Sequence, residues 1–165
     1  MKETVKKYLP SIVYGGSDGA VTTFSVMAGA YGAGLDPRIV IILGCANLAS
    51  DGFSMASADF LSEESRERAT ERKSFFQALF TFLAFSSIGL IPLIPFLIEL
   101  FVPLPASSFS LSILFTVLAF IAIGYVRATI LRRNKILMVG QSLSIGILCA
   151  FVAYYVGLVI SSVIV

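Results

Sequence analysis

Three stretches of the sequence contain no Asp, Glu, Lys or Arg: residues 74–98, 100–126 and 136–165. Each is longer than the ~20 residues that an α-helix needs to cross the ~30 Å hydrocarbon core of a bilayer. Charged residues make up 13% of the chain, whereas soluble domains contain about 25%. So much apolar surface would cause aggregation in water. We therefore expect an all-α integral membrane protein.

The first third of the chain is also apolar, although aspartates interrupt it. Residues 8–35 contain one charged residue, Asp18, and residues 39–62 contain two. Pro37, in the link between these segments, suits the first turn of a helix because it has no N–H to leave unpaired. The first segment is too long for a signal peptide, so we expect it to remain in the mature protein. The sequence predicts a single transmembrane domain, 1–165, with five spans at 9–33, 38–62, 75–98, 108–131 and 136–162.

The basic residues predict the orientation of these spans. With the N-terminus in the cytoplasm, eleven of the twelve Lys and Arg residues fall on the cytoplasmic side, and Arg38 alone falls outside. The positive-inside rule therefore predicts a cytoplasmic N-terminus and an external C-terminus. We expect the basic residues to meet anionic lipid headgroups, with no nucleic acid as a partner. The short connections favour a prokaryotic inner membrane.

Several classes of activity lack the residues that they would need. There is no GxxxxGK[ST] phosphate loop, so ATP-driven pumping is not indicated. The chain has no histidine and no evident nucleophile–base pair, so we expect neither an enzyme nor a resident cofactor. Cys45 and Cys149 lie inside predicted spans, where a lone cysteine usually packs as a small apolar side chain.

Three acids, Asp18, Asp51 and Asp59, lie at membrane depth. A carboxylate there costs about 3 kcal/mol on insertion scales, so such residues generally face a cavity, a partner or a transport path. The alternative is a neutral acid that is hydrogen-bonded between helices. We favour a functional role for Asp18 and Asp51. For Asp59, whose side chain can reach water near the cytoplasmic interface, the two interpretations are balanced.

Polar residues and one methionine recur at every fourth position along the second span and beyond it. They are Asn47, Asp51, Met55, Asp59, Glu63, Glu67 and Glu71. Because a four-residue step overshoots one helical turn by ~40°, the series forms a ramp that winds slowly from mid-membrane to the cytoplasmic end. Its glutamates, together with Glu64, either attract metal ions from the cytosol or pair with nearby arginines on a solvated helix.

The first span carries a polar face and a pair of small residues. Asp18 shares a face with Thr22, while Gly15 and Gly19 form a GxxxG pair that lets another helix backbone approach, from a neighbouring span or from a second copy. The helical rise of 1.5 Å per residue, counted from the cytoplasmic ends of the first two spans, places Asp18 and Met55 at similar heights. A carboxylate and a thioether at one level form a candidate site for a transition metal.

The candidate ligands indicate which metal would bind. Without histidine, carboxylates, amide oxygens and a thioether remain, and Asp51 and Asn47 would join Asp18 in the ligand set. Oxygen ligands suit manganese, magnesium and calcium, while the sulfur of Met55 favours a softer ion. Fe²⁺ or Mn²⁺ fits this mixture best. Met55 could equally serve packing alone, since methionine readily fills gaps between apolar side chains.

Two regions of the chain resemble the vacuolar iron transporter family. The matching segments are 14–19 (YGGSDG), 22–24 (TTF), 28–29 (AG), 32–34 (GAG), 44–55 (GCANLASDGFSM) and 59–62 (DFLS). The remainder of the chain agrees mainly in its five-helix layout.

The resemblance implies a homodimer that exports Fe²⁺, or Mn²⁺, from the cytosol in exchange for protons. The path would lie between the first helices of the two copies, with the family's first-helix aspartate at Asp18 and its second-helix methionine at Met55. Two departures matter. Asn47 stands where eukaryotic members have a glutamate, so that carboxylate of the path is either absent here or replaced by Asp51, one turn away. Residues 63–73 stand where those members carry a long cytosolic metal-binding insert, so this chain has a short form of the family's architecture.

We therefore expect a homodimeric secondary transporter whose metal ion is a substrate. Acidic residues after the second span would attract the ion from the cytosol: Glu63, Glu64, Glu67 and Glu71. Asp18 and Met55 of both copies would bind it, and Asp51 would exchange its proton for the metal. Thr22 and Asp59 would line the path. The alternative is a non-transporting membrane protein whose intramembrane acids stabilise the helix bundle or a partner interface.

Overall fold

The computed structural model describes residues 2–66 and 70–164. Within these ranges the chain forms six α-helices, with one 3₁₀ turn at Ile91–Leu93. The helices are α1 (Lys2–Gly32), α2 (Pro37–Glu64), α3 (Glu71–Gly89), α4 (Ile94–Glu99), α5 (Ser108–Leu131) and α6 (Lys135–Ile164). The described ranges contain no β-strand, which confirms the all-α prediction.

Four segments of the described chain are long and apolar enough to cross a membrane. They are Pro37–Glu64, Glu71–Glu99, Ser108–Leu131 and Lys135–Val163. The chain is therefore an integral membrane protein. The first predicted span coincides with α1, whose 31 residues would reach ~46 Å at the helical rise. However, α1 is not among the four apolar segments, because Asp18, glycines and hydroxyl side chains dilute its apolar content.

The third predicted span is not one continuous helix. α3 ends at Gly89, and the chain continues through the 3₁₀ turn into α4. Pro92 and Pro95 explain the break, because proline has no N–H to donate and its ring disturbs the preceding turn. One α5 hydroxyl satisfies a carbonyl oxygen there, since Ser112 Oγ donates to Pro92 O at 2.7 Å, and Ser108 Oγ, one turn earlier, donates to the carboxylate of Glu99.

α1 packs directly on the backbone of α3. Gly15 lies against Thr81 and Gly19 lies against Phe85, and a Cβ atom at either glycine would overlap the carbonyl oxygen of its neighbour. The sequence left open whether this glycine pair meets another span or a second copy. In the structure it meets α3 of the same chain, so α1 and α3 approach at the closest distance that two helices can reach.

α2 follows α1 after a short link and joins the same core. Asp36 caps it, since its carboxylate accepts a hydrogen bond from the backbone N–H of Arg38 at 2.8 Å, and Pro37 is the first helical residue as the sequence predicted. The core that α1, α2 and α3 share includes Met27, Leu48 and Phe85, all buried. In contrast, only 6% of the apolar window of α6 is buried. Most of the apolar surface of α6 therefore lies on the outside of the single chain.

Candidate metal site

Asp18 lies half-buried on α1, at the edge of a cavity of about 700 Å³. α1, α5 and α6 line this cavity, which has a mostly apolar wall and also contains Arg127 and Cys149. Thr22, one turn further along α1, donates its hydroxyl proton to the backbone carbonyl of Asp18 at 2.8 Å. That hydroxyl therefore serves its own helix. The carboxylate of Asp18 meets a largely apolar space, where a charge needs a partner.

Asp51 lies half-buried on α2, the helix that packs beside α1. A cation that binds near both carboxylates would offset the cost of placing their charges at membrane depth. Asn47, one turn away on α2, lies along the contact with α1, where its Nδ2 is 3.5 Å from Thr23 Oγ1. Three of the expected ligands thus come from two helices that are in contact.

One turn of α3, Thr81–Phe85, contacts both α1 and α2. It therefore allows the positions of Asp18 and Met55 along the bundle axis to be compared. The contacts are Gly15 with Thr81, Gly19 with Phe85, Asp59 with Thr81, and Gly52 with Phe85. Asp18 belongs to the α1 turn between the two glycines, and Met55 belongs to the α2 turn between Gly52 and Asp59. The packing is thus consistent with the similar heights that we expected.

The side chains of these two residues nevertheless have different neighbours within one chain. Met55 is half-buried and packs against the core cluster that includes Met27, Leu48 and Phe85, whereas Asp18 lines the cavity beside α5 and α6. Packing therefore accounts for part of the burial of Met55. Among the residues described, no group of three or more acidic or cysteine side chains is placed to hold a metal ion.

Asp59 is tied to α3 through both of its carboxylate oxygens. Gln77 Nε2 donates a hydrogen bond to Oδ1 at 2.9 Å, and Thr81 Oγ1 donates one to Oδ2 at 2.5 Å. Buried polar groups are generally satisfied in this way when they join two elements of a fold. Of the two interpretations that the sequence left open, this geometry favours an interhelical role for Asp59.

Glu63 is buried, whereas an acid that attracts metal ions from the cytosol would lie on the protein surface. Its side chain is only 1% exposed and forms an ion pair with Lys73 of α3, while Arg66 NH1 lies 3.2 Å from its other oxygen. The charge of this buried carboxylate is paired with two cations, although its Oε2 accepts no hydrogen bond among the described residues. This burial arises because the C-terminal end of α2 packs against the first turn of α3. For Glu63, this geometry favours the second interpretation that the sequence left open, pairing with nearby basic residues.

The other glutamates of the series have different surroundings. Glu64 and Glu71 are exposed, and Glu71 lies in the first turn of α3, where the helix dipole favours an acid. Glu67 lies outside the described residues. Exposed carboxylates at Glu64 and Glu71 are compatible with attraction of a cation from the aqueous phase.

Three polar residues near these acids were missed by sequence reasoning. Gln77 and Thr81 contact Asp59, and Arg127 lines the cavity of Asp18. Gln77 and Thr81 are four residues apart in an otherwise apolar span, so their shared helical face was a signal that could have been used. Arg127 was counted only as a charge that determines orientation, although its place one turn before the end of a span lets it reach into the membrane.

The sequence matches the VIT family over residues 9–75 and 65–158. These segments include both intramembrane carboxylates, Asp18 and Asp51, as well as Met55. The match extends into α6, well beyond the two regions whose motifs first indicated a resemblance.

Curated relatives are similar over part of the chain. It is 36% identical over 75 residues to a vacuolar iron transporter of Toxoplasma gondii. This aligned segment covers 46% of this chain and 23% of that protein. It is 37% identical over 57 residues to vacuolar iron transporters of Plasmodium berghei and Plasmodium falciparum. These aligned segments cover 34% of this chain and 21% of each relative. The matched segment thus spans less than a quarter of the length of these relatives.

Proposed function

The chain belongs to the VIT family, and from this premise we propose that it carries a divalent transition metal, Fe²⁺ or Mn²⁺, out of the cytosol. The names of the relatives, vacuolar iron transporters, support iron as the substrate. The observation that carries the proposal is the pair of half-buried carboxylates, Asp18 and Asp51, on adjacent helices of a membrane protein. Two acids at membrane depth are expected to have a function that offsets their cost.

Metal binding is assigned to Asp18 and Met55, with Asp51 and Asn47 as further ligands. The carboxylate and amide oxygens suit Mn²⁺ and Fe²⁺, and the thioether favours the softer of the two. One chain supplies few of these groups, and Met55 partly faces the core. A second copy beside α1 would double the number of ligands available to the ion.

A homodimer that forms through α1 is the second part of the proposal. Tyr14, one turn before Asp18, is 59% exposed, and α1 is less apolar than the other spans. A helix of this composition is better covered by protein than by lipid. In the proposed arrangement five spans cross the membrane, which we suggest is a prokaryotic inner membrane, with the N-terminus in the cytoplasm.

Exchange with protons is the third part of the proposal. A carboxylate must lose its proton to bind metal, so metal binding and proton release are coupled. We assign this exchange to Asp51, because it lies beside Asp18 without belonging to the same helix. Glu64 and Glu71, both exposed, would raise the concentration of the cation near the cytoplasmic end of the path.

Uptake of Fe²⁺ and Mn²⁺ into proteoliposomes, with and without an imposed pH gradient, tests this function. The informative variant is Asp18→Asn, which removes the charge and keeps the shape. Its matched control is Asp36→Asn, because Asp36 is exposed and Asn caps a helix as well as Asp does. We expect flux to be lost in Asp18→Asn and kept in Asp36→Asn. Wild-type flux through folded Asp18→Asn would overturn the assignment.

A second candidate function is that of a non-transporting membrane protein whose acids hold the bundle together. The bonds from Gln77 and Thr81 to Asp59 and the ion pair of Glu63 favour it. Thermal unfolding in detergent, with and without metal, separates the two candidates. Stabilisation by Mn²⁺ that disappears in Asp18→Asn supports transport, because only a ligand that prefers the native state stabilises it. A loss of stability in this variant without any effect of metal supports the structural role.

A further inference from the structure

A basic cavity lies where α1 and α3 begin, away from the cavity beside Asp18. Its volume is about 520 Å³. Its lining combines three cations, one hydroxyl and three aromatic rings: Lys7, Arg72, Lys73, Thr70, Tyr8, Phe76 and Phe80. No carboxylate belongs to this lining among the residues that the structure describes. The cavity therefore has the chemistry of an anion-binding site with an apolar floor.

Lys73 forms a fixed part of this cavity. Its ammonium pairs with the buried Glu63, yet its side chain remains 35% exposed. An ammonium group has three N–H donors, and one oxygen of Glu63 accepts one of them. A donor that is anchored before the ligand arrives lowers the entropy cost of binding. Because Glu63 compensates Lys73, the net positive charge of the cavity comes from Lys7 and Arg72.

The aromatic rings position these two cations. Arg72 Cζ lies 5.8 Å from the centre of the Phe76 ring, and Lys7 Nζ lies 5.2 Å from that of Tyr8. Both distances are within the range of cation–π attraction. The rings of Tyr8 and Phe80 are 4.9 Å apart and extend the apolar floor. Cations above a floor of rings suit a ligand with a charged head attached to a carbon chain.

We propose that this cavity binds the phosphate group of an anionic phospholipid. Lys7 and Arg72 donate to the phosphate oxygens, and Phe76 and Phe80 contact the glycerol and the first acyl carbons. The place of the cavity supports a lipid, because α3 begins here and its apolar segment meets water at this level, where lipid phosphates lie. Free phosphate is also an anion, but it has no carbon chain that could contact the aromatic rings. The proposal does not depend on metal transport.

Lipid binding to the purified full-length chain in a neutral detergent tests the proposal. Native mass spectrometry counts bound phosphatidylglycerol or phosphatidylcholine, and thermal unfolding measures the stabilisation that each lipid confers. We expect phosphatidylglycerol to bind more tightly, because the choline cation opposes a basic site. The double variant Lys7→Gln/Arg72→Gln should weaken phosphatidylglycerol binding about tenfold or more, since charge-assisted hydrogen bonds are lost. Both side chains are exposed, so their replacement is compatible with folding.

The matched control is Arg132→Gln/Arg133→Gln, which removes the same charge from the exposed turn between α5 and α6. We expect it to keep the wild-type affinity for phosphatidylglycerol. An equal loss in both double variants, or equal binding of the two lipids by the wild type, would overturn the proposal. Should the cavity variant fail to fold, the single changes Arg72→Gln and Arg133→Gln give the same comparison.

Soluble anions distinguish the two sources of a phosphate group. Inorganic phosphate and glycerol 3-phosphate are added to the detergent-solubilised protein in place of lipid. We expect either to stabilise the wild type much less than phosphatidylglycerol does, because neither engages the rings of Phe76 and Phe80. Stabilisation that equals that of the lipid, and that is lost in the cavity variant, would assign the site to a soluble phosphate and overturn the lipid assignment.

Discussion

Gln77 Nε2 lies 2.9 Å from Oδ1 of Asp59, and this hydrogen bond joins α3 to α2 within the apolar part of the bundle. Thr81 donates a hydrogen bond to the second oxygen of the same carboxylate. For Asp59 to bind a metal ion, both donors on α3 would have to give up their partner. A buried donor such as Thr81 that is left unpaired costs about 1–3 kcal/mol, so Asp59 is better suited to hold the helices together than to carry an ion.

The variant Asp59→Ala should therefore lower the free energy of unfolding by about 2 kcal/mol, as expected for two interhelical hydrogen bonds in a membrane. Metal flux per folded molecule should stay at the wild-type level. A double-mutant cycle with Gln77→Leu, measured by unfolding in mixed detergent, gives the coupling between the two residues. If Asp59→Ala folded with wild-type stability but no longer transported metal, Asp59 would be assigned to the transport path.

Replacement of Met55 by leucine should separate metal binding from packing. Leucine fills a similar volume, at a cost below about 1.5 kcal/mol, but it has no sulfur. We expect Met55→Leu to weaken Fe²⁺ transport more than Mn²⁺ transport, because the thioether favours the softer ion. Uptake measured for each metal alone gives this ratio.

Met138→Leu is the control for this change, because Met138 is buried on α6, beside Gly124 of α5. It should leave the ratio of Fe²⁺ to Mn²⁺ uptake unchanged. An unchanged ratio in Met55→Leu as well would assign Met55 to packing alone.

Loss of Lys73 should destabilise the protein through Glu63. Lys73→Met leaves a carboxylate that is 1% exposed without its principal partner, and breaking a buried pair in this way costs about 3 kcal/mol. The double variant Glu63→Gln/Lys73→Met should recover much of this stability, because no unpaired charge remains buried. Thermal unfolding of the single and double variants checks both expectations. Equal melting temperatures for Lys73→Met and wild type would show that Arg66 alone compensates the charge of Glu63.

Gly19→Ala should loosen the bundle at the contact between α1 and α3. A Cβ atom at this position would overlap the backbone carbonyl of Phe85, and overpacking of this kind costs about 1–3 kcal/mol. Gly140→Ala is the matched control, because a Cβ atom there meets nothing within 4 Å and alanine favours a helix over glycine. We expect a lower unfolding temperature for the first variant and an unchanged or higher one for the second. Similar values for both would mean that α1 can shift away from α3 at no cost.

The helices could be predicted from the sequence because charge and hydropathy are local properties. The fourth span begins at Ser108 and ends at Leu131, as expected from the apolar stretch and the prolines before it. The break at Pro92 and Pro95 was missed, although both prolines were visible. A proline inside an apolar run is compatible with a bent helix or a broken one, and the neighbours that satisfy the freed carbonyl oxygens decide between them.

The candidate site was less predictable, because its contacts depend on how each helix is rotated about its axis. The motifs around Asp18 and Asp51 indicated both acids, and the structure places them on two helices that are in contact. The partners of Asp59 and Glu63 could not be derived, since Gln77 and Lys73 lie on another helix whose facing side the sequence does not specify. Glu63 was expected at the surface because glutamates are seldom buried without a cation.

The glycine contacts of α1 also constrain how the protein can move. Where no side chain separates two helices, a rotation or slide of one past the other forces backbone atoms together, so α1 and α3 form one rigid body. Further along α1, Gly29 meets Gly157 of α6 equally closely, about three helical turns beyond Asp18 and its cavity. In the first half of α6, Val139 lies equally close to Gly124 of α5. A tilt of α6 alone would force atoms together at both places, so we expect the space around Asp18 to change only when α5 and α6 move as a unit.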